Sequence, residues 1–459
     1  MDATQRPAVV IDNGSGSTKL GFGGNVKPSY ILPTAIGLRD VSKRVGGSKG
    51  TPGSIDDLDF AIGDEALHNA HRYAVQYPVR GGVVEDWDLM ERFWQQSICK
   101  YMRVDPEEHF FLLTEPPLNP PEHREETAEI MFETFGVAGL QISVQAVLAL
   151  AASMTSSKSK SQHSLSGTVI DSGDGGTYVV PVHEGYVIGA LRRRRSGHSS
   201  LSSLSSSCHC RPPLPSLMLS DATRAAGSSI KTVPIAGKDL TLFVHKLLRE
   251  RGVAVPAEDL YAAAQVVKEQ HCYTCSDVSK EPAKFDSDPA KYARELSGIN
   301  KKTNRPWSFK LGHERFLTPE VFFEPKMLPD CEFFTPLPEV VDGVVASCPI
   351  DARRGLYNNI VLAGGSTQFK DFGRRLERDV KRLVDERVAQ SELSSGGRHK
   401  AKEVEVNVVA HKKRRYAAWF GGSFVASMPT FFSSCHTKAD YEEYGPSICR
   451  SSHVFRGLM

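Results

Sequence analysis

What is scarce in these 459 residues excludes several kinds of protein at the outset. Charge of one sign is not in excess: 56 Lys and Arg stand against 54 Asp and Glu, a net +2. No whole-chain field therefore draws the molecule to nucleic acid or to a membrane surface. Long apolar runs are missing as well. The longest, Ala146 to Met154, is far short of the ~18–20 residues of a membrane-spanning helix, so no membrane span is expected. The start, MDATQR, is polar and lacks the apolar stretch of a secretory leader. Cysteines number nine, an odd count scattered along the chain, which predicts reduced thiols rather than a disulfide framework. Cys272 and Cys275 form one CxxC pair without a second pair or a histidine run to complete a zinc site, so buried thiols are expected there. These absences predict a soluble intracellular protein. What remains is an ordinary globular mixture, 40% hydrophobic and 24% charged, which rules out a largely disordered or collagen-like chain.

The chain repeats itself. Residues 8–19 read AVVIDNGSGSTK and residues 167–178 read GTVIDSGDGGTY, aligned without a gap at an offset of 159. Asp12 falls on Asp171, Gly14 on Gly173, Gly16 on Gly175 and Thr18 on Thr177. Each copy is a β-branched apolar run ending in Asp, a glycine-rich turn, and a second strand-like run. That pattern predicts a hairpin whose turn amides converge on one point, as phosphate cradles do. Lys19 and the Ser15 hydroxyl add a charge and a donor nearby. Asp12 and Asp171, at the ends of equivalent strands, suit a hydrated Mg²⁺, which keeps its waters and takes few protein ligands. Two such hairpins facing each other would clamp a nucleoside triphosphate tail. Neither copy fits the P-loop or the dinucleotide-binding glycine pattern.

Two further glycine elements follow. In Asn359–Phe369, NIVLAGGSTQF, an apolar strand meets Gly364-Gly365 and leads towards a helix with Phe372, Leu376, Val380 and Leu383 on one face. Such a junction presents a helix N-terminus and bare backbone to a ligand, or is a simple connection. In RYAAWFGGS (415–423) an aromatic run meets Gly421-Gly422, read either as a packed helix start or as a ligand contact. The basic cluster Lys412–Arg415 is expected to be a solvated face, and Asp86 with its neighbouring acids a helix start at Trp87. The Pro-rich stretch Glu115–Pro121 is expected to end a strand and set the next helix.

The two hairpins and the Gly364-Gly365 turn together resemble the actin-fold ATPases. LLTEPPLNP (112–120), REETAEIMFETF (124–135), EGYVIG (184–189), IAGKDLT (235–241), YAAWFGGSFVAS (416–427) and YGPSIC (444–449) are similar to actin-family segments over nearly the whole chain. VEDWDLMERF (84–93) and CPIDARRGLYNNIVLAGGSTQFKDFGRRL (348–376) are most similar to the actin-related proteins of a filament-nucleating complex. The resemblance implies an α/β fold, the actin-like (ribonuclease-H-like) duplicated two-domain ATPase with nucleotide in a central cleft. The first lobe would be 1–160 plus 430–459, with a small insertion at about 36–80. The second would be 161–429, with a helical insertion at about 240–310.

By the same resemblance, ATP or ADP with Mg²⁺ is the cofactor. Gly14, Ser15, Gly16 and Lys19 would hold the phosphates from one side and Asp174, Gly175 and Gly176 from the other. Asp12 and Asp171 would hold Mg²⁺ through water, and Gln145 would position water. Lys268, Glu269, Gly365, Ser366, Thr367, Gln368 and Arg415 would surround ribose and adenine. The family usually carries histidine where this chain has Tyr178, and a phenol is no easy proton relay at neutral pH. ATP binding with slow or absent hydrolysis is therefore expected, a conformational switch rather than a metabolic enzyme. Implied partners are an actin-related protein 2-like subunit, smaller complex subunits, actin filaments and nucleation-promoting factors, with no direct nucleic acid, in the cytoplasm at the cortical cytoskeleton and cell projections. The alternatives are a self-polymerising actin-like protein and a small-molecule kinase of the same fold.

Residues 190–227 do not fit. Without these 38 residues Gly189 would join Ser228 as an uninterrupted family segment. The insert holds four consecutive arginines, Arg192–Arg195, and Cys208-His209-Cys210. It reads as a translated intron, as a solvated phosphorylatable loop, or as a nuclear signal or metal site. In each case it is expected outside the folded core.

Overall fold

Val9–Asn13 is apolar through its first three positions and buried along its whole length, the signature of a central strand covered on both faces. The computed structural model describes residues 3–39, 60–70, 73–155, 165–189, 229–288, 292–300, 302–328, 331–394 and 402–452. In it Val9–Asn13 turns back antiparallel onto Ser17–Phe22 and also pairs parallel with Phe110–Glu115, Ile11 opposite Leu113. The six-stranded sheet runs His436–Thr437, Gly139–Val144, Phe110–Glu115, Val9–Asn13, Ser17–Phe22, Tyr30–Pro33.

The second half repeats this plan. Gly167–Ser172 turns antiparallel onto Thr177–His183 and pairs parallel with Ile360–Ala363, Ile170 opposite Leu362. Tyr186–Val187, Val408–Val409 and Lys231–Val233 complete the sheet. Both hairpins are therefore central, and their turns project from one end of each sheet. The C-terminal segment returns to the first sheet, where Leu140 pairs with His436.

The halves share apolar packing. Val10, Leu112 and Leu148 from one side share a core with Val169, Val180 and Val361 from the other, and Trp419 belongs to it. Helices Gln145–Met154 and Ala417–Ala426 form the link. A Cβ at Gly421 would sit 1.8 Å from the Leu148 carbonyl oxygen, so only glycine permits this backbone approach. Trp419 Nε1 donates to Val10 O at 3.1 Å. The Gly421-Gly422 pair thus lies inside a packed helix, not in a turn at a ligand.

The small insertion carries a three-stranded sheet, Phe60–Ile62, Ile36–Arg39, Tyr73–Gln76, and the short helix Gly63–His68. The later one holds helices Gly237–Glu250, Ala257–Val266 and Glu281–Ser287, but also the hairpin of Arg294–Ile299 and Pro306–Leu311, so it is not purely helical. Asp86 caps the helix Trp87–Gln96 by accepting from Leu89 N at 3.0 Å. Phe110–Glu115 ends at the proline stretch and helix Pro121–Glu129 begins there. Helix Phe372–Ser394 buries Phe372, Leu376, Val380 and Val384; Leu383 is only half-buried, because the step from Val380 is four residues. Residues 190–227, and all but the ends of a crossing between the lobes expected near 155–165, lie outside the described residues. No described helix is long and apolar enough to cross a membrane.

Candidate functional site

The two glycine turns meet. A Cβ on Gly16 would lie 2.6 Å from Asp174 Cβ, and one on Gly175 would lie 2.4 Å from Ser15 Oγ. At each glycine the opposite turn's side chain packs against bare backbone, Asp174 on Gly16 and Ser15 on Gly175, which leaves no room for a Cβ. Thr34 Oγ1 donates to Gly14 O at 2.7 Å and fixes the first turn, while Thr177 Oγ1 donates to Ile235 O at 2.6 Å beside the second.

Asp12 lies buried at the mouth of the first hairpin and is fully engaged. Lys19 Nζ is 3.1 Å from its Oδ2, and Thr114 Oγ1 and Gln145 Nε2 donate to its Oδ1 at 2.6 and 3.0 Å. Gln145 is thus held against the carboxylate by the N-terminus of its helix. Asp171 is the counterpart in the second half, but its register partner is Tyr178, where Asp12 has Lys19. Burial, and then the Asp12 carboxylate, push the Asp171 pKa up to about 6; Lys19 pulls the other way. Two acids facing one lysine make a site that a cation would relieve.

The residues implied for ribose and adenine are gathered partly by side chain and partly by backbone. Lys268 Nζ donates to Gly237 O at 2.9 Å, and Gly237 N donates to Gly173 O at 3.0 Å. A Cβ on Gly237 would lie 2.9 Å from Asp174 Oδ1 and 3.1 Å from Ser366 Oγ. Lys268, Asp174 and Ser366 therefore converge on the start of helix Gly237–Glu250. Burial lowers the Lys268 pKa, with Asp174 opposing. Ser366 Oγ donates to Gly173 O at 2.8 Å, and the buried Thr367 donates to Gly364 O, so both side chains are committed inward. Gly365, Gln368, Glu269 and Arg415 are exposed. The Arg414–Tyr416 turn reaches the same place, since Gly364 N donates to Arg414 O at 2.8 Å. The helix after Gly364-Gly365 begins only at Phe372, so a 3₁₀ turn at Gly365–Thr367 lies at the site, not the helix N-terminus.

Three contributors carry no motif of their own. Thr114 sits near the end of the strand Phe110–Glu115, Gly237 at a helix start, and Gly81-Gly82 in the hairpin Val79–Arg80/Val83–Val84. Gly82 N donates to Ser15 Oγ at 2.8 Å and Tyr178 Oη donates to Gly81 O at 2.7 Å. The doubled glycine was visible in the sequence, but its partners lie 67 and 97 residues away.

Other tempting groups are structural. Burial pushes the Cys272 and Cys275 thiols up to about 12, leaving them neutral. Lys413 lies over the Phe420 ring at 3.7 Å, and Arg414 is half-buried, so the basic cluster is not wholly solvated. A groove of about 1040 Å³ lies between His271–Ser276 and the start of helix Phe372–Ser394, and several of its cations are already paired. Arg375 meets Glu320 and Asp379, and Lys381 meets Asp385 and Glu403.

A duplicated α/β chain, with two glycine hairpins facing across a cleft and an acid behind each, defines a class. The Actin family model matches residues 3–204 and 263–453, and the chain belongs to the actin family. Its similarity is finer than that. It is 52% identical over 455 residues to Actin-related protein 3 of Drosophila melanogaster, covering 99% of both chains. To Actin-related protein 3 of Caenorhabditis elegans it is 51% identical over 464 residues, and to that of Oryza sativa subsp. indica 49% over 470, each covering the whole of both chains.

Proposed function

We propose that this chain is the ATP-binding, actin-related subunit of an actin-related protein 2/3 complex. It pairs with an actin-related protein 2-like subunit, imitates a filament end, and so nucleates branched actin filaments at the cortical cytoskeleton. Similarity to the Actin-related protein 3 chains over 99–100% of their length carries the reading. The facing turns support a nucleotide in the cleft. The residues present fit it: amides bare of side chain at Gly16 and Gly175, the cation of Lys19, and two acids short of positive charge. Asp12 and Asp171 would hold Mg²⁺ through water, and Mg²⁺ would supply charge neutralisation for the phosphates.

Turnover is slow in this reading. Burial pushes the Tyr178 hydroxyl up to about 12, so it gives and takes no proton near neutrality. Gln145 remains to orient water. The chain acts through cleft closure, since a ligand that touches both halves favours the closed arrangement.

Affinity purification from the protein's own cells, with mass spectrometry, tests the assembly. Recovery of an actin-related protein 2-like chain and small companions in equal amounts is expected. Recovery alone, or self-assembly on adding Mg²⁺ and salt, would overturn it in favour of a conventional actin. A single-turnover ATPase rate equal to that of conventional actin would overturn the slow-turnover reading.

A further inference from the structure

The Gly81–Gly82 turn has φ of +55° and +84°, the mirror-image geometry of a two-residue hairpin. Two adjacent glycines restrain a chain less than any other pair, so outside contacts must set where this turn sits. It has one on each side of the cleft. Towards the first hairpin, Gly82 N donates to Ser15 Oγ at 2.8 Å. Towards the second, Tyr178 Oη donates to Gly81 O at 2.7 Å. A Cβ on Gly176 would lie 3.5 Å from the Tyr178 ring, and one on Gly82 would lie 3.2 Å from its oxygen. The first is ordinary contact; the second is tight, so glycine at position 82 leaves the phenol room to reach across.

The duplication shows how this position diverged. Lys19 and Tyr178 occupy the same register point, opposite Asp12 and Asp171. In the first half the side chain turns to its own aspartate at 3.1 Å. In the second it passes its aspartate and bonds the other half of the molecule.

We propose that Tyr178 is a positioning residue for nucleotide exchange: its hydroxyl fastens the Gly81–Gly82 turn of the first half to the second half. Opening the cleft, and releasing a nucleoside triphosphate from it, then requires this bond to break. The inference rests on the nucleotide reading above and extends it from binding to the rate of release. The phenol is half-buried beside Asp171, where loss of its proton is disfavoured, so it stays a donor throughout the neutral range.

The test uses the full-length chain with its co-purifying partners, loaded with ethenoadenosine triphosphate and Mg²⁺ and chased with ATP. The variant Tyr178→Phe keeps the ring and removes the hydroxyl. Release from it is expected to be roughly three- to tenfold faster, the ordinary worth of one hydrogen bond. Hydrogen–deuterium exchange should rise in the peptide covering 79–84 and stay unchanged in residues 380–394 of helix Phe372–Ser394, away from the cleft. Equal release rates in variant and parent would overturn the inference. So would exchange that rises equally in both segments, which marks general loosening. If the parent retains no ethenoadenosine triphosphate, the nucleotide reading fails on its own. Exchange at 79–84 then decides the fastening, which an unchanged Tyr178→Phe value overturns.

Discussion

Replacing Arg124 by methionine tests how the C-terminal segment is held to the first sheet. Arg124 Nε lies 2.6 Å from Glu115 Oε2, with the two side chains 7% and 3% exposed. Arg124 Nη1 also donates to Arg450 O at 3.1 Å. Arg450 in turn grips Glu122 and Glu125 at 2.8 Å on the exposed side. One guanidinium therefore joins a strand end, a helix start and the returning chain. Methionine keeps most of the volume but leaves the Glu115 carboxyl buried, with Asn119 Nδ2 at 3.1 Å as its donor. Breaking a buried pair in this way costs about 3–5 kcal/mol. At 2–4 °C per kcal/mol for a unit of 150–250 residues, the melting temperature should fall by roughly 10 °C.

The pH dependence has a definite sign. Burial already raises the Glu115 pKa above its ordinary 4.5, with Arg124 as the main force pulling it down. Without Arg124 the folded state binds its proton more tightly than the unfolded state does, so the variant loses stability as pH rises above that value. The deficit of Arg124→Met measured by thermal melting should be smaller at pH 5 than at pH 8. The double variant Glu115→Gln/Arg124→Met should recover most of the loss. A single variant within 3 °C of the parent at pH 8 would refute the reasoning, as would a double variant no better than the single one.

Asp171 gives a second titration: its pKa of about 6 stands above the ordinary 3.8, so the nucleotide-free protein should lose stability as pH rises from about 4 to about 6. Asp171→Asn should abolish that loss in melting curves and weaken Mg²⁺-dependent ethenoadenosine triphosphate binding by tenfold or more. Gly421→Ala should lower the melting temperature sharply despite alanine's better helix propensity, because its Cβ would stand 1.8 Å from Leu148 O. Asp86→Ala removes the cap of helix Trp87–Gln96 and should cost about 1 kcal/mol in denaturant unfolding.

The hairpins were legible because a gapless repeat of Asp-x-Gly-x-Gly-x-Thr constrains strand, turn and facing acid at once. The strand Ile360–Ala363 and the helix after it were legible from apolar spacing. What escaped was long-range. At Gly421-Gly422 composition left a packed helix start and a ligand contact both open; the helix holds, and its glycines serve an approach to Leu148, which lies in a distant segment and gives no local sign. The helix begins at Phe372, the first residue of its apolar spacing, but does not follow Gly364-Gly365 directly, because a 3₁₀ turn and Asp371 at φ +64° come between. The hairpin Arg294–Ile299/Pro306–Leu311 was hidden within a helical stretch, since much of it is exposed and the apolar alternation is faint. Thr114 and the Gly81–Gly82 turn join the site through partners that no spacing rule connects.

The meeting of Gly421 with the Leu148 carbonyl has a mechanical consequence. It brings two helices together backbone to backbone, with no side chain between them to compress or to change rotamer. Such a contact behaves as an axle: little moves at its centre, and displacement grows with distance from it. Ser15 and Asp174 meet across the cleft outside both helices of this axle, so the few bonds they make there bear on the attitude of two whole lobes.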